Sequence, residues 1–536
     1  MRVSIFLQIL IFIAASITPA KAKPLDYRIW QFHDRDWKYL QSAIPKAEAA
    51  GMNRIQLSHD IIMNIHQLFH QDTLQLVRRA AQLAHQHNLA VDVWTHELDN
   101  VPQYLKQGDK VVLDDKLWTW LQRRYKRAFE LVPQIDGVVL TFAETEFKVY
   151  GNRVISNLPP AERVAKLITI MAEVCAQHRK LLFVRTFVHQ PDALQILGQS
   201  LTIIADKTQQ HPNIIVMSKC VPHDWTPYYP YNPLLGKTDG LPQIVEIDLG
   251  QEYTGQSKIL HCEVDYVCKV LAYARRKNVV GAVARIERLT HNRALDTPNE
   301  VNIYAFSRLL NDPTVPPEKL WIEWATKRYG PKAAPYIIQA LKPTFEITNL
   351  TLFPLGPWFT KHSKLPDFSY AYNSIIERQT AKWISAPIYE LRRDELLTPT
   401  PITLMKLNAE KDLAAKLAQY SLNQLEKAKP YLSTEDYNKL RHYLEFGKDN
   451  VEVFRRHNLA MFTTLMLLNA RKQVGPMLTK EELAHLQNQA VARVQSLREI
   501  ADIMEQRYGS DVWPGNPTRI RNFANELEKR LSQPSN

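Results

Sequence analysis

GVVLTF at 137–142, PAERVAKLITIMAEVCAQH at 160–178 and LLFVRTF at 181–187 decide the fold. The first and third are short runs of β-branched and aromatic residues, and the middle one places apolar residues three and four apart, as an amphipathic helix does. Strand, helix and strand in that order make a parallel βαβ unit. The same alternation continues in both directions. Strand-like runs lie at 27–32, 54–57, 90–94, 137–142, 181–187, 214–218, 243–249 and 279–286, and helical periodicity fills 73–87, 116–131, 160–178 and 264–277. Eight strand-helix units predict a closed (β/α)8 TIM barrel of the α/β class over residues 23–315. An open doubly wound sheet would carry fewer repeats and a glycine-rich phosphate turn, and the sequence has neither.

Beyond residue 310 the pattern changes. A helical stretch at 319–329 leads into an aromatic and proline-rich stretch that runs to about 367, and TPTPIT at 398–403 reads as a boundary. Long helical patterns follow at 408–428, 433–473, 479–508 and 518–531 with no strand signal between them. Residues 316–536 are therefore expected to form a C-terminal all-α domain packed on the barrel. A chain of 536 residues accommodates both, since a barrel needs about 250.

The first 22 residues combine a basic start at Arg2, an apolar run over 3–17 and the small-residue exit Ala20-Lys21-Ala22. This arrangement predicts a signal peptide over 1–22, a mature chain starting near Lys23 and a periplasmic or secreted location. The apolar run is shorter than the roughly twenty residues of a membrane span, and no later stretch is both long and uncharged, so no span is expected in the mature form. Apolar and charged fractions of 45% and 23% place the chain among globular proteins rather than disordered ones. A formal charge of +12 favours polyanionic partners. Acidic polysaccharide fits that charge; nucleic acid is not expected as a partner, because the basic helices form no recognition motif. The four cysteines, Cys175, Cys220, Cys262 and Cys268, show no CxxC or zinc spacing, which leaves buried thiols or one oxidised pair.

Barrel enzymes place their chemistry just past the C-terminal ends of the strands. Here those ends carry His33-Asp34, His59-Asp60, Trp94 with His96-Glu97, Glu144-Thr145-Glu146, Arg185, Lys219 with Asp224, Gln251-Glu252-Tyr253, and Arg285 with Glu287. Three strand-end histidines suit a transition metal, yet the only HxH, His85-Gln86-His87, falls at a helix end. Hydrogen bonds from His59 and His96 to sugar hydroxyls explain them as well, and no metal or cofactor is expected. Acidic groups at the ends of strands 4, 6 and 7 suit glycoside hydrolysis, in which one carboxylic acid protonates the leaving oxygen and another carboxylate activates water or attacks the anomeric carbon. The loop DWTPYYPYNPLLG at 224–236 adds Trp225, Tyr228, Tyr229 and Tyr231 as flat faces for sugar rings, or as packing for the loop itself.

KCVPHDWTPYYPYNPLLG at 219–236 and QIVEIDLGQEYTGQ at 243–256 together resemble the α-glucuronidases of glycoside hydrolase family 67, and the hexapeptide QEYTGQ at 251–256 is close to identical with theirs. The resemblance implies a hydrolase that removes a uronic acid from an acidic oligo- or polysaccharide with inversion. Asp224 and Glu252 would share the general-base role. Lys219 and, in FVRTFV, Arg185 would hold the substrate carboxylate. Trp225, Tyr253, His59, His96 and Trp94 are expected around the sugar from their places at the strand ends and in the loop, apart from the resemblance. VNIYAFSRLLNDP at 301–313 also resembles the family's passage from barrel to helices, and a homodimer through the helical domain follows by analogy.

The chain also departs from the family. Its KANSEG-like stretch after DG on strand 4 is replaced by VVLTFAETEF at 138–147, so its Lys becomes Thr141 or a neighbour. The acid falls on Glu146 or Glu144 after a slip of one residue, and the polar-hydroxyl-Glu triplet favours Glu146. The family's N-terminal accessory domain is expected to be missing. A non-catalytic polysaccharide-binding barrel and a metal-dependent barrel hydrolase are the alternative readings.

Overall fold

The structure is a computed structural model that describes residues 23–187, 198–225, 228–288, 293–379, 387–472 and 478–533. The expected leader at 1–22 lies outside the described residues. Eight parallel strands occur where the sequence places them: β1 (Tyr27–Phe32), β2 (Arg54–Leu57), β3 (Ala90–His96), β4 (Gly137–Thr141), β5 (Leu181–Arg185), β6 (Ile214–Lys219), β7 (Gln243–Asp248) and β8 (Gly281–Arg285). Each pairs with its neighbours in chain order, and β8 returns to β1, so the barrel is closed.

Alternation along the strands divides the side chains into two sets. Ile29, Trp94, Val139, Phe183, Ile215, Met217, Ile244 and Val283 point inward and form a sealed apolar cluster inside the barrel. The opposite parity, with Leu57, Val91, Val93, Val138, Leu140, Leu182, Val184, Val216, Val245 and Ala282, packs against the surrounding helices. Burying one such side chain contributes about 1.5–3 kcal/mol. Strand closure also demands close backbone approach at one point. A Cβ added at Gly281 would lie 2.4 Å from the Cβ of Tyr27 and 2.7 Å from its carbonyl oxygen, so glycine is required there.

Towards the C-terminal ends of the strands the inward positions become polar: Gln31 and His33, His96, Thr141, Arg185, Lys219, Glu246 and Asp248, and Arg285 and Glu287. All of these are buried. A buried charge is costly unless paired, so this layer has to form a network.

The helices also start and stop near the sequence boundaries: Gln71–Gln86, Asp115–Leu131, Pro160–Gln177 and Val264–Arg276 around the barrel, then Pro317–Tyr329, Pro401–Ala428, Thr434–Arg471, Lys480–Tyr508 and Pro517–Leu531 in the helical region. TPTPIT separates the helix Pro387–Leu397 from the helix Pro401–Ala428 and starts the second. Thr400 is the N-cap of Pro401–Ala428, and its side chain accepts from the amide of Thr403. The aromatic and proline-rich stretch contains two further helices, Ala334–Leu341 and Thr344–Leu352, and then runs irregularly over 353–367 to the mouth of the barrel. One apolar core spans the barrel and the helices next to it, reaching Leu425, Tyr437, Leu440 and Leu444, while a second fills the long helices and takes in Ile259 from the barrel. All four cysteines are free thiols. Among the described residues, no helix is long and apolar enough to cross a membrane.

Candidate active site

The polar layer at the mouth is a chain of contacts that runs most of the way round the barrel. On the β6 side, Lys219 Nζ donates to Asp224 Oδ1 at 2.7 Å and lies 3.5 Å from the centre of the Phe187 ring and 4.6 Å from that of Trp225. Arg185 donates twice to Glu246, from Nε at 2.7 Å and from Nη2 at 3.1 Å, and its guanidinium sits 4.9 Å from the ring centre of Trp94. Trp94 touches His59 at 5.0 Å between ring centres, and His59 stacks on His33 at 4.6 Å. His96 lies 6.0 Å from His59, and its Nε2 is 3.7 Å from Glu144 Oε2.

Glu252 lies past the end of β7, next to β6. Its Oε2 accepts from Arg285 Nη2 at 2.8 Å and Arg288 Nε at 3.1 Å, and its Oε1 is 2.7 Å from His362 Nδ1. Its backbone amide donates to Asp248 Oδ2 at 2.9 Å. Tyr253, alongside, stacks on His362 and meets Trp358 at 4.6 Å. Trp358 and His362 both come from the irregular 353–367 segment, so the helical region supplies part of this wall. The turns that aim these groups are strained. His59, Glu144, Gln251, His362 and Ser363 all adopt left-handed backbone conformations without being glycine, at a cost of about 1–3 kcal/mol each.

Electrostatics separates the two sides of the mouth. Burial pushes the Asp224 carboxyl up, but Lys219 and His223 outweigh it and hold the group well below the usual carboxylate range. Burial likewise opposes ionisation of Glu252, and Arg285, His362 and Arg288 overcome it. Both groups are therefore anions at neutral pH, and the charge of Glu252 acts on Asp224. On the opposite side, burial lowers His33 and His59 well below the ordinary imidazole value, helped by Arg285 on His33 and by His33 on His59, so both rings are neutral.

Glu287 is a third buried carboxyl of different character. Burial raises it to about 8, against the backbone amides of His33 and Asp34, which donate to its Oε1 at 2.9 and 2.7 Å. A carboxyl raised in the folded state keeps its proton where the unfolded chain has lost it. Stability should then fall as pH rises from the ordinary glutamate value to about 8, by at most about 1.4 kcal/mol per pH unit. Glu287→Gln is expected to flatten this fall, measured as the difference in the pH slope of denaturant stability between variant and wild type; equal slopes would mean that Glu287 is already ionised.

Every sequence-predicted site residue except Glu146 lies on this chain of contacts. Glu146 turns to the side, where its Oε1 accepts from Lys106 Nζ at 2.8 Å, beside a small sheet made of Lys106–Gln107, Lys110–Val112 and Val154–Ile155. Glu97, a strand-end acid with the opposite parity to His96, faces away from the mouth and pairs with Arg124 and Tyr125. Of the loop aromatics, Tyr231 stacks on Tyr273 of the helix Val264–Arg276 and Tyr228 packs on Phe353, so both fasten the loop. His85 and His87 pair with Asp136 and Glu48. Among the described residues, no three His, Cys, Asp or Glu side chains are placed to hold a metal ion. The sequence reading assigned no role to Glu246, Asp248, Arg285, Arg288, Trp358 or His362. Inward parity was the available signal for Glu246, Asp248 and Arg285.

Residues 46–299 match the model of the glycosyl hydrolase family 67 middle domain. No curated protein matches the chain. Among solved structures, a glycoside hydrolase family 138 enzyme targeting pectin rhamnogalacturonan II superimposes with a TM-score of 0.61 and 12% identity, over 95% of this chain and 67% of that one. A family 115 4-O-methyl-α-glucuronidase with specificity for decorated arabinogalactans aligns with a TM-score of 0.49 and 10% identity, over 94% and 62% of the two chains. With its closed eight-stranded barrel and helical C-terminal region, the chain carries a glycoside hydrolase-like barrel that is similar, over residues 46–299, to the glycosyl hydrolase family 67 middle domain.

Proposed function

We propose that the protein is an exported, exo-acting glycosidase of the α-glucuronidase type, which removes a uronic acid from an acidic oligo- or polysaccharide with inversion. The observation that carries this reading is the pair of a partly buried Asp224 and a buried Glu252, both held as anions on the cationic side of one mouth, with Glu144 and His96 on the other side. In the reaction the acid gives its proton to the glycosidic oxygen as the C–O bond breaks. Water attacks the anomeric carbon, and its proton passes to the Asp224–Glu252 pair. Asp224 takes only one of the three ammonium protons of Lys219, and Glu246 takes two of the five N–H groups of Arg185, so both cations keep donors for a substrate carboxylate.

Geometry favours Glu144 as the acid, because Glu146 is turned to Lys106. Glu144→Gln is expected to lower kcat on an oligosaccharide by about 10²-fold or more. The loss should be much smaller on an aryl glycoside, whose leaving group needs no proton, and Glu146→Gln should stay within a few-fold of wild type on both. The opposite pattern would assign the acid to Glu146. Activity itself is tested by screening the purified protein on uronic-acid-capped oligosaccharides; an inert wild type on the whole panel would contradict the proposal.

A further inference from the structure

The three contacts on Glu252 are unequal in origin. Arg285 ends β8 and Arg288 follows it, and both reach Oε2, whereas His362 comes from the helical region and alone among these three reaches Oε1. Two donors on one oxygen hold that oxygen in place, but they leave the rest of the carboxylate free to pivot about it. A third donor on the other oxygen stops that rotation.

The position of His362 is itself fixed by several bonds to the turn that bears Glu252. Ser363 Oγ donates to the Glu252 carbonyl at 2.9 Å and accepts from the Gly255 amide at 2.8 Å, and Gln256 Nε2 donates to the His362 carbonyl at 2.6 Å. The His362 ring stacks on Tyr253 at 5.2 Å. Lys361 and Lys364 pair backbone to backbone across the turn, closing it on itself. His362 and Ser363 both have positive φ, so this turn pays for a strained backbone in order to present one imidazole nitrogen to one carboxylate oxygen.

We infer that His362 is a positioning residue for Glu252: the helical region completes the catalytic site by locking the plane of the base through Nδ1 and Oε1. The inference rests on the glycosidase reading above. Because the contact is made to the reacting carboxylate, its effect belongs to the chemical step rather than to substrate capture.

The test is steady-state kinetics of wild type, His362→Ala and His362→Asn on a uronic-acid-capped oligosaccharide, with thermal unfolding of all three. Asn places an amide N–H about where Nδ1 sits, so it restores the donor without the imidazole. His362→Ala is expected to lose about 10–10²-fold in kcat, the cost of a misoriented reacting group, with KM changed by no more than a few-fold. His362→Asn should recover most of kcat, and all three proteins should unfold at similar temperatures. An unchanged kcat in His362→Ala, a loss confined to KM, or a loss that Asn does not restore in a folded protein would overturn the inference while leaving the glycosidase reading intact. An inert wild type would overturn both.

Discussion

Glu252→Gln and Asp224→Asn are each expected to lower kcat by about 10³-fold or more while leaving the binding of a uronic-acid oligosaccharide unchanged or tighter. Removing a general base typically costs 10²–10⁴-fold, and here the base pair also supplies the negative charge that faces the developing positive charge on the sugar. Binding should not suffer, for an electrostatic reason. The Glu252 anion pairs with both Arg285 and Arg288, and a neutral amide removes part of the negative charge that faces them. An anionic sugar supplies the missing charge. Calorimetric titration of the variant against wild type decides the point: affinity that falls in parallel with kcat would make Glu252 a binding residue and not a base.

Arg185→Met is expected to destabilise the protein by about 3–5 kcal/mol, because it leaves Glu246 fully buried without the two hydrogen bonds that balance its charge. Pairing the change with Glu246→Gln should recover most of the loss, since removing both partners of a buried ion pair is far less costly than removing one. Denaturant unfolding of the two single variants and the double variant closes the cycle. A small loss in Arg185→Met would mean that Glu246 is not balanced by this arginine, and that Arg185 is spent on substrate alone.

The barrel was legible because strand and helix periods are local. Runs such as GVVLTF and LLFVRTF declare a strand buried on both faces, and the caps and prolines at helix starts are equally local. Parity along a strand was also available, and it separates His96, which faces the mouth, from Glu97, which faces Arg124. Past the strand ends, parity stops being a guide. The turn Ala143-Glu144-Thr145-Glu146 gives two acids shortly past the strand end at Thr141, and the left-handed backbone at Glu144 sends one to the mouth and the other to Lys106. No periodicity encodes that choice. His362 was illegible for a different reason: it meets Glu252 only because the 353–367 segment, which reads as an aromatic and proline-rich connector, doubles back onto the barrel across 110 residues of sequence. That Asp224 and Glu252 are held as anions depended on knowing that Lys219, Arg285 and Arg288 surround them, which is a fact of folding rather than of composition.

The most direct measurement of whether one mouth hydrolyses a glycosidic bond through Asp224 and Glu252 is time-resolved proton NMR of a uronic-acid-capped oligosaccharide with wild type, Asp224→Asn and Glu252→Gln. The expected result is release of the uronic acid by wild type, with the first-formed anomer opposite to that of the substrate, and no release by either variant at matched concentration. Release that persists in both variants, or a wild type that liberates nothing from any uronic-acid-capped substrate, would contradict it.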